Sequence, residues 1–350
     1  MQYGLRASVF AAAAISVASI LLCASAQAAE KEVSIVLSFP NGVAWPYFSV
    51  ATEMGYAKEE GISFKLIATD GSAASYKAVA TKQADMAMTQ PAQVLNGITL
   101  GEKIVSFYTA YQGHVYQFAT LADAPYRRIA DLKGQKIGIS SVAGGQFSYL
   151  RAALKDAGLD STKDVQIVEV GRGGAAAIAL KEKRVAAYSA SFVDMMQIEQ
   201  SGGKLRLFLE GPTATFFSDS LVAHRSFLDE NPKIPVAVGR ALAKATVFCM
   251  TNAEACWNMI AKQVPDTARK PEFTKPLLKA VLDLHRLPPA ANGKWGYQSA
   301  DAWRAVEDFL IDGGQLKEKV NVDQAFTNAY ISNINEFDVA KVKAQAQDAK

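Results

Sequence analysis

Short apolar runs rich in β-branched residues alternate with segments of helical periodicity as far as about residue 209. The runs that predict strands are 33–39, 62–68, 85–89, 104–111, 115–121, 136–140, 165–170, 185–189 and 205–209. Helical spacing of apolar residues predicts helices near 46–59, 73–83, 91–100, 145–157, 174–183 and 193–201. Nearly continuous apolar strands separated by amphipathic helices are typical of βαβ units with buried, mostly parallel sheets.

The pattern beyond about residue 225 is almost entirely helical. It predicts helices near 232–250, 253–263, 271–284 and 299–313, with one further strand at 220–224. The last stretch, 339–350, is polar and is predicted to be frayed. No segment after the N-terminus is long and apolar enough to predict a membrane span.

A break at residues 122–125 divides the pattern into two α/β units. The second unit begins near Ile129 and ends at Leu209, before the helix and strand breaker Gly211-Pro212. The strand at 220–224 is predicted to return to the first unit. The sequence therefore predicts two lobes, the first from 30–121 and 212–350 and the second from 122–211, with a ligand cleft between them.

The first 28 residues have the pattern of an export signal. Arg6 precedes an apolar stretch from Val9 to Cys23, and Ala26-Gln27-Ala28 is a small-x-small cleavage site. We expect cleavage after Ala28, and the alternative is a retained anchor. The bulky Leu22 disfavours lipidation at Cys23. The mature protein is therefore expected to be soluble in the periplasm.

Composition and motifs exclude several classes of function. The chain has 37 basic and 34 acidic residues, too balanced for a nucleic-acid binder. Its three histidines are scattered without metal-ligand spacing, and phosphate-loop, nucleophile-elbow and complete dinucleotide-binding motifs are absent. We therefore predict a protein without cofactor or metal, and we predict that it is not an enzyme.

Two cysteines remain after the signal. On one unbroken helix, Cys249 and Cys256 would lie about 10 Å apart, beyond disulfide reach. The intervening Thr251-Asn252-Ala253-Glu254 instead resembles the end of one helix and the cap of another. A disulfide across this corner and two buried thiols are both consistent with the sequence.

Candidate ligand contacts follow the ends of the predicted strands, where open α/β sheets bind ligands. Glycines there allow close approach of the backbone, and helix N-termini offer unpaired N–H groups. The candidates are Asn41, Trp45, Tyr47, Asp70, Gly71, Ser72, Thr89, Gln90, Ser141, Gly144, Gly145, Arg172, Gly173 and Asp194. At least one of Tyr111, His114 and Tyr116, near the crossover between lobes, is also expected to face the cleft.

Several of these candidates have an ordinary structural alternative. Trp45 and Tyr47 either contact a ligand or begin the core face of the next helix. Arg172 either binds an acidic group with a two-pronged hydrogen bond or is an exposed loop residue. Asp70 and Asp194 are candidates to recognise an amino or ring N–H group of the ligand, and Asp70 is alternatively a turn or cap residue.

The segment from Val33 to Leu95 resembles the opening of substrate-binding proteins of ABC importers, in the class for nitrate, sulfonates, taurine and thiamine-pyrimidine precursors. The matching features are an aromatic loop, the block VATEMGYAKEEGI, a Gly-Ser turn and the segment KQADMAMT. The segments ADLKGQKIGISSVAGGQFSYLRAALKDAGLD and ALKEKRVAAYSAS are similar to the second lobe of that class. The resemblance covers roughly residues 33–260.

The resemblance implies a type II, or venus-flytrap, periplasmic binding protein that closes around a small molecule. Its partners would be an inner-membrane ABC permease and a cytoplasmic ATPase, and we expect a monomer. The implied contacts include Asn41, Trp45, Gly71-Ser72, Thr89-Gln90, Ser141, Gly144-Gly145 and Arg172-Gly173. We favour an organic anion, such as a sulfonate or carboxylate. The alternatives are a pyrimidine-like or other heterocyclic vitamin precursor, or a ligand sensor for a membrane receptor.

Overall fold

The structure, a computed structural model, describes residues 30–38, 42–142, 145–209 and 216–349. The predicted signal peptide and the predicted contacts Asn41 and Gly144 lie outside the described residues. Two five-stranded sheets organise the rest, in the orders β2-β1-β3-β10-β4 and β7-β6-β8-β5-β9. The strands are β1 Lys31–Leu37, β2 Ile62–Ala68, β3 Met86–Thr89, β4 Ile104–Thr109, β5 Tyr116–Leu121, β6 Lys136–Ile139, β7 Gln166–Glu169, β8 Ala187–Ser191, β9 Leu205–Leu207 and β10 Ser220–His224.

Both sheets are mixed. In the first, β1 pairs in parallel with β2 and β3, whereas β10 lies antiparallel between β3 and β4. The prediction that residues 220–224 return to the first unit is therefore confirmed. In the second sheet, β6 pairs in parallel with β7 and β8, and β5 is antiparallel to β8 and β9. The antiparallel pairs come from β5 and β10, the strands that follow each crossover.

The position of β5 corrects the predicted lobe boundary. We assigned residues 30–121 to the first lobe, but Tyr116–Leu121 bonds on both sides within the second sheet. Phe118 faces Ser189 on β8, and Ala119 faces Leu207 on β9. The first crossover therefore lies between Thr109 and Tyr116. The remaining division into lobes stays a prediction.

Helices cover the sheets. Those up to the second crossover are α1 Pro46–Glu53, α2 Tyr56–Glu59, α3 Ser72–Ala80, α4 Pro91–Thr99, α5 Gly145–Asp156, α6 Gly174–Lys181 and α7 Phe192–Gln200. Those after it are α8 Arg225–Glu230, α9 Lys233–Thr251, α10 Ala253–Gln263, α11 Pro265–Ala268, α12 Pro271–Leu284, α13 Ala300–Asp312, α14 Ile331–Ile334 and α15 Val339–Asp348. By length and composition α9 could span a membrane, contrary to our expectation for this segment, but 67% of its apolar window is buried. It is a core helix that packs against α1, α2 and α15.

A disulfide joins the corner between α9 and α10. Asn252 ends the first helix, and its side-chain oxygen accepts a 3.0 Å hydrogen bond from the N–H of Ala255 in the second. This break brings the Cα atoms of Cys249 and Cys256 to 5.0 Å, and their sulfur atoms are bonded. Of the two alternatives that the sequence left open, the structure has the disulfide.

The C-terminal stretch is folded, so the prediction of a frayed tail is wrong. Asp338 caps α15 by accepting a 2.9 Å hydrogen bond from the N–H of Lys341. Val342 and Ala346 are buried, and α15 packs against α9. The apolar pair at i and i+4 forms one buried stripe on an otherwise polar helix.

One apolar cluster spans both sheets on the crossover side. It includes Ile137 and Ile139 of the second sheet together with Ala87 and Val222 of the first. Within this cluster α5 packs against α13. The side-chain amide of Gln315, just after α13, also donates a 2.6 Å hydrogen bond to the carbonyl of Ser148 in α5.

Candidate ligand-binding site

A cavity of about 260 Å³ lies where the two sheets face each other. Residues at the ends of β1, β3, β6 and β8 line it, as the rule for open α/β sheets predicts. β5 and β10 run antiparallel to their neighbours. The residues at their N-terminal ends therefore lie at the same sheet edges as the C-terminal ends of the neighbouring strands. The lining residues are Ser38, Ala44, Gly71, Ser72, Gln90, Tyr111, Val115, Tyr116, Ser140, Gln146, Arg172, Ser191, Phe192, Val193, Asp194, Gln197 and Asp219.

Asp219 is the buried acid of the first wall. It lies immediately before β10 and is fully buried. Its carboxylate accepts hydrogen bonds from the Gln90 amide at 2.6 Å and from the hydroxyls of Ser38 and Ser218, each at 3.5 Å. Burial raises the pKa of Asp219 to about 7, although these hydrogen bonds act in the opposite direction. This carboxyl group therefore titrates near neutrality.

Asp194 is the buried acid of the second wall. It lies in the first turn of α7, where the hydroxyl of Ser191 donates to its carboxylate at 2.7 Å. The backbone N–H of Gly173 also bonds to this carboxylate. Burial raises the pKa of Asp194, and these hydrogen bonds and the nearby Arg172 lower it in part. Asp194 thus belongs to the first turn of α7, which Ser191 caps, and also lines the cavity.

Arg172 brings the positive charge to the cavity. Its side chain is 48% exposed and lies 3.6 Å from the carboxylate of Asp70, which belongs to the other sheet's loops. The Asp70 side chain is 96% exposed and does not line the cavity. Such an exposed ion pair contributes little to the free energy of folding, so Arg172 stays available to a ligand.

Aromatic side chains complete the walls, but they are not the aromatics we favoured. Tyr111, Tyr116 and Phe192 line the cavity, which confirms the expectation for the crossover tyrosines. Trp45 and Tyr47 are buried in the first sheet's core, each 1% exposed, and do not line it. Of the two alternatives given for these residues, the structure has the core position: Trp45 stacks on Tyr111, and Tyr47 packs edge-on against Phe48 and His285. Their contact with a ligand stays a prediction.

The remaining predicted residues divide into two groups. Gly71, Ser72, Gln90, Arg172 and Asp194 line the cavity, and their contact with a ligand stays a prediction. Thr89, Ser141, Gly145 and Gly173 each adjoin a lining residue in sequence and do not themselves line the cavity, and their contact with a ligand also stays a prediction. The hydroxyl of Thr89, for example, donates to the carbonyl of Ser72 at 2.9 Å.

Asp219 is the main residue that the sequence analysis missed. It precedes its strand, whereas we searched only the residues that follow strands. The available signal was an acid between Phe216-Phe217 and the buried strand SLVAH, because an acid is seldom buried without a role. Gln146 and Gln197 were missed because they lie within helices.

Metal binding receives no support from the described part of the chain. In residues 30–38, 42–142, 145–209 and 216–349 no group of three or more histidine, cysteine or acidic side chains could hold an ion. The cavity instead offers carboxyl, amide, hydroxyl and guanidinium groups beside aromatic rings. This set suits an organic molecule with several hydrogen-bonding groups.

Two mixed α/β sheets joined by crossovers, with a polar cavity between them, define the class of two-lobed periplasmic binding proteins. Within this class, the chain belongs to the NMT1/THI5 like family, whose profile matches residues 46–255, more than half of its length. Both the predicted fold class and the predicted resemblance are confirmed. The chain's relatives in sequence and in structure include binding proteins for small molecules.

Two relatives align along most of the chain. The riboflavin-binding protein RibY of Chloroflexus aurantiacus is 24% identical over 311 residues, 88% of each chain. The formylaminopyrimidine-binding protein of Halalkalibacterium halodurans is 22% identical over 313 residues, 87% of this chain and 92% of the relative. In structure, the periplasmic aliphatic sulphonate binding protein SsuA of Escherichia coli matches with a TM-score of 0.65 at 16% identity, over 84% of this chain and 91% of SsuA.

Proposed function

We propose that this protein captures a small planar nitrogen heterocycle, with at least one N–H donor, and delivers it to an ABC permease. The observation that carries the proposal is Asp219, a buried acid on the cavity wall whose bonded partners Ser38, Gln90 and Ser218 are all neutral. A ligand amino or ring N–H group would supply a further donor to this carboxylate. Two relatives named for pyrimidine and flavin ligands support the same class.

The dimensions and walls of the cavity suit a ligand of this kind. A volume of about 260 Å³ lies just below the roughly 300–1,000 Å³ of pockets for drug-sized ligands. Tyr111, Tyr116 and Phe192 offer ring faces or edges to a flat molecule. Because lining residues come from both sheets, the ligand would contact both lobes and stabilise the closed arrangement selectively.

Export and delivery are parts of the same proposal. Residues 1–28 would direct the chain to the periplasm and be removed after Ala28. The protein would act as a monomer that presents its closed form to the permease. We propose binding without chemistry, which predicts that the ligand is recovered unchanged after incubation and denaturation of the protein.

An organic anion is the second candidate ligand. Arg172 favours it, because its half-exposed guanidinium reaches the cavity and could bind a sulfonate or carboxylate with two hydrogen bonds. Against it, two buried acids line the same cavity, and they would repel a negative charge near them.

Calorimetry with a defined panel separates the two candidates. The panel contains cytosine, riboflavin, ethanesulfonate and benzoate. We expect a heterocycle to bind, and Asp219→Asn to weaken it at least tenfold, since a carboxylate acceptor is lost. For an anion, Arg172→Ala would weaken binding about thirtyfold, equivalent to about 2 kcal/mol, and Asp219→Asn would not. Binding of the two anions alone would reject the heterocycle proposal.

A further inference from the structure

Asp219 has an unusual set of neighbours for a buried acid. The donors to its carboxylate are an amide and two hydroxyls, and it forms no salt bridge with any residue of the described ranges. Gln90 is itself held, because its side-chain oxygen accepts a 3.0 Å hydrogen bond from the hydroxyl of Ser218. The carboxylate is therefore fixed in orientation, yet its negative charge has no cation to balance it.

The titratable groups around Asp219 do not change charge near neutrality. Tyr47 of α1, Tyr111 after β4 and Tyr116 of β5 face it, and burial raises the pKa of each phenol. The ring of His285 contacts Tyr47 and Tyr111, and burial lowers its pKa to about 4. These four side chains stay neutral when Asp219 titrates.

The opposite wall carries the other charges of the cavity. Arg172 is a cation there, and Asp194 is a second acid whose pKa is raised by burial. Asp194 differs from Asp219 in one respect, because Arg172 and the backbone N–H of Gly173 both favour its ionised form. Of the two acids among the described lining residues, Asp219 is thus the one whose ionised form is stabilised less by its neighbours.

We infer that ligand capture is coupled to the loss of a proton from Asp219, whose carboxylate then accepts a hydrogen bond from an N–H group of the ligand. The inference rests on the proposed heterocyclic ligand. No covalent bond of the ligand changes, since the carboxyl proton passes to the buffer and the ligand keeps its own hydrogen. Affinity must then rise with pH, because less of the free protein has to give up a proton.

The pKa of about 7 sets the size of the effect. The number of protons released per ligand bound should approach one at pH values well below 7 and fall towards zero well above it. Affinity should increase up to about tenfold per pH unit below pH 7 and level off above it. If Asp219 instead donated its proton to a ligand carbonyl, protons would be taken up and affinity would fall with pH.

Titration calorimetry in buffers of different ionisation enthalpy counts these protons. The probes are cytosine and riboflavin, which carry N–H donors and have no group titrating between pH 6 and pH 8. At pH 6 the measured enthalpy should vary with the buffer in the sense of release, and Asp219→Asn should abolish this variation. The exposed control Asp123→Asn, outside the cavity, should retain it.

Each contrary result has a separate meaning. Saturable binding of either probe without proton release at pH 6, or with proton uptake, overturns the inference and leaves the proposed function intact. Release that persists in Asp219→Asn also overturns it. Failure of both probes to bind rejects the proposed function together with the inference. The wild-type measurement decides the question even when Asp219→Asn does not fold.

Discussion

Trp45 is a loop aromatic that is buried behind the cavity wall and not part of it. Its ring stacks on Tyr111 at 5.3 Å, with only 4° between the ring planes. Tyr111 also lines the cavity, so Trp45 supports that wall from behind. At the scale of single residues, an aromatic beside prolines can either stack on a ligand or support the residue that does.

We expect Trp45→Ala to lower the free energy of unfolding by about 3–5 kcal/mol, because the substitution leaves a large cavity in a core. Chemical denaturation monitored by circular dichroism measures the change. Trp45→Phe keeps an aromatic ring against Tyr111 and should cost clearly less. An unchanged midpoint for Trp45→Ala, accompanied by lost ligand affinity, would return Trp45 to the binding surface.

The sequence predicted five of the lining residues that follow a strand. Gly71, Ser72, Gln90, Arg172 and Asp194 follow predicted strands, so their place near the cleft depends only on local order along the chain. Asp219 could not be found this way. Its place at the same edge depends on β10 running antiparallel to β3, a pairing between residues far apart in sequence.

Whole helices and strands show the same difference between features set by local sequence and features set by distant contacts. Most predicted helices and strands exist within a few residues of their predicted bounds, because each has its own periodicity. The sheet to which β5 belongs was predicted wrongly, because the break at residues 122–125 was taken as the boundary between the two units. Residues 339–350 were called frayed on composition, although two apolar residues four positions apart suffice to attach the helix to α9.

Helix α15 should therefore contribute to stability. We expect Val342→Ala to reduce the free energy of unfolding by about 2 kcal/mol, since two buried methyl groups are removed. Lys343→Ala, on the exposed side of the same helix, is the matched control and should be nearly neutral. Equal stabilities of the two variants in urea denaturation would mean that α15 is not docked in solution.

The pH dependence of stability belongs to the whole molecule, because groups in different regions act in opposite directions. Burial lowers the pKa of His114 and His285 to about 4, so the unfolded chain binds more protons as pH falls below about 6.5. Their contribution to stability is therefore lost on acidification. Asp219, with its pKa raised to about 7, binds a proton in the folded state first, and its contribution opposes theirs.

Replacing Asp219 should make the loss of stability that the two buried histidines cause at low pH larger and easier to measure. Between pH 7 and pH 5, Asp219→Asn should lose more of its free energy of unfolding than the wild type loses, because the opposing contribution is absent. Denaturant titrations of both proteins at the two pH values give the comparison. Parallel pH profiles would show that Asp219 has an ordinary pKa in the folded protein.

The contact between α5 and α13 has a consequence for dissecting this protein. A recombinant fragment containing only the second sheet and its helices would leave Tyr149 and Leu150 without Phe309 and Leu310, so an apolar helix face would meet water. Such a fragment would aggregate rather than fold as an independent unit. We therefore expect the two halves to fold together, and a rotation between them would have to preserve this apolar contact between α5 and α13.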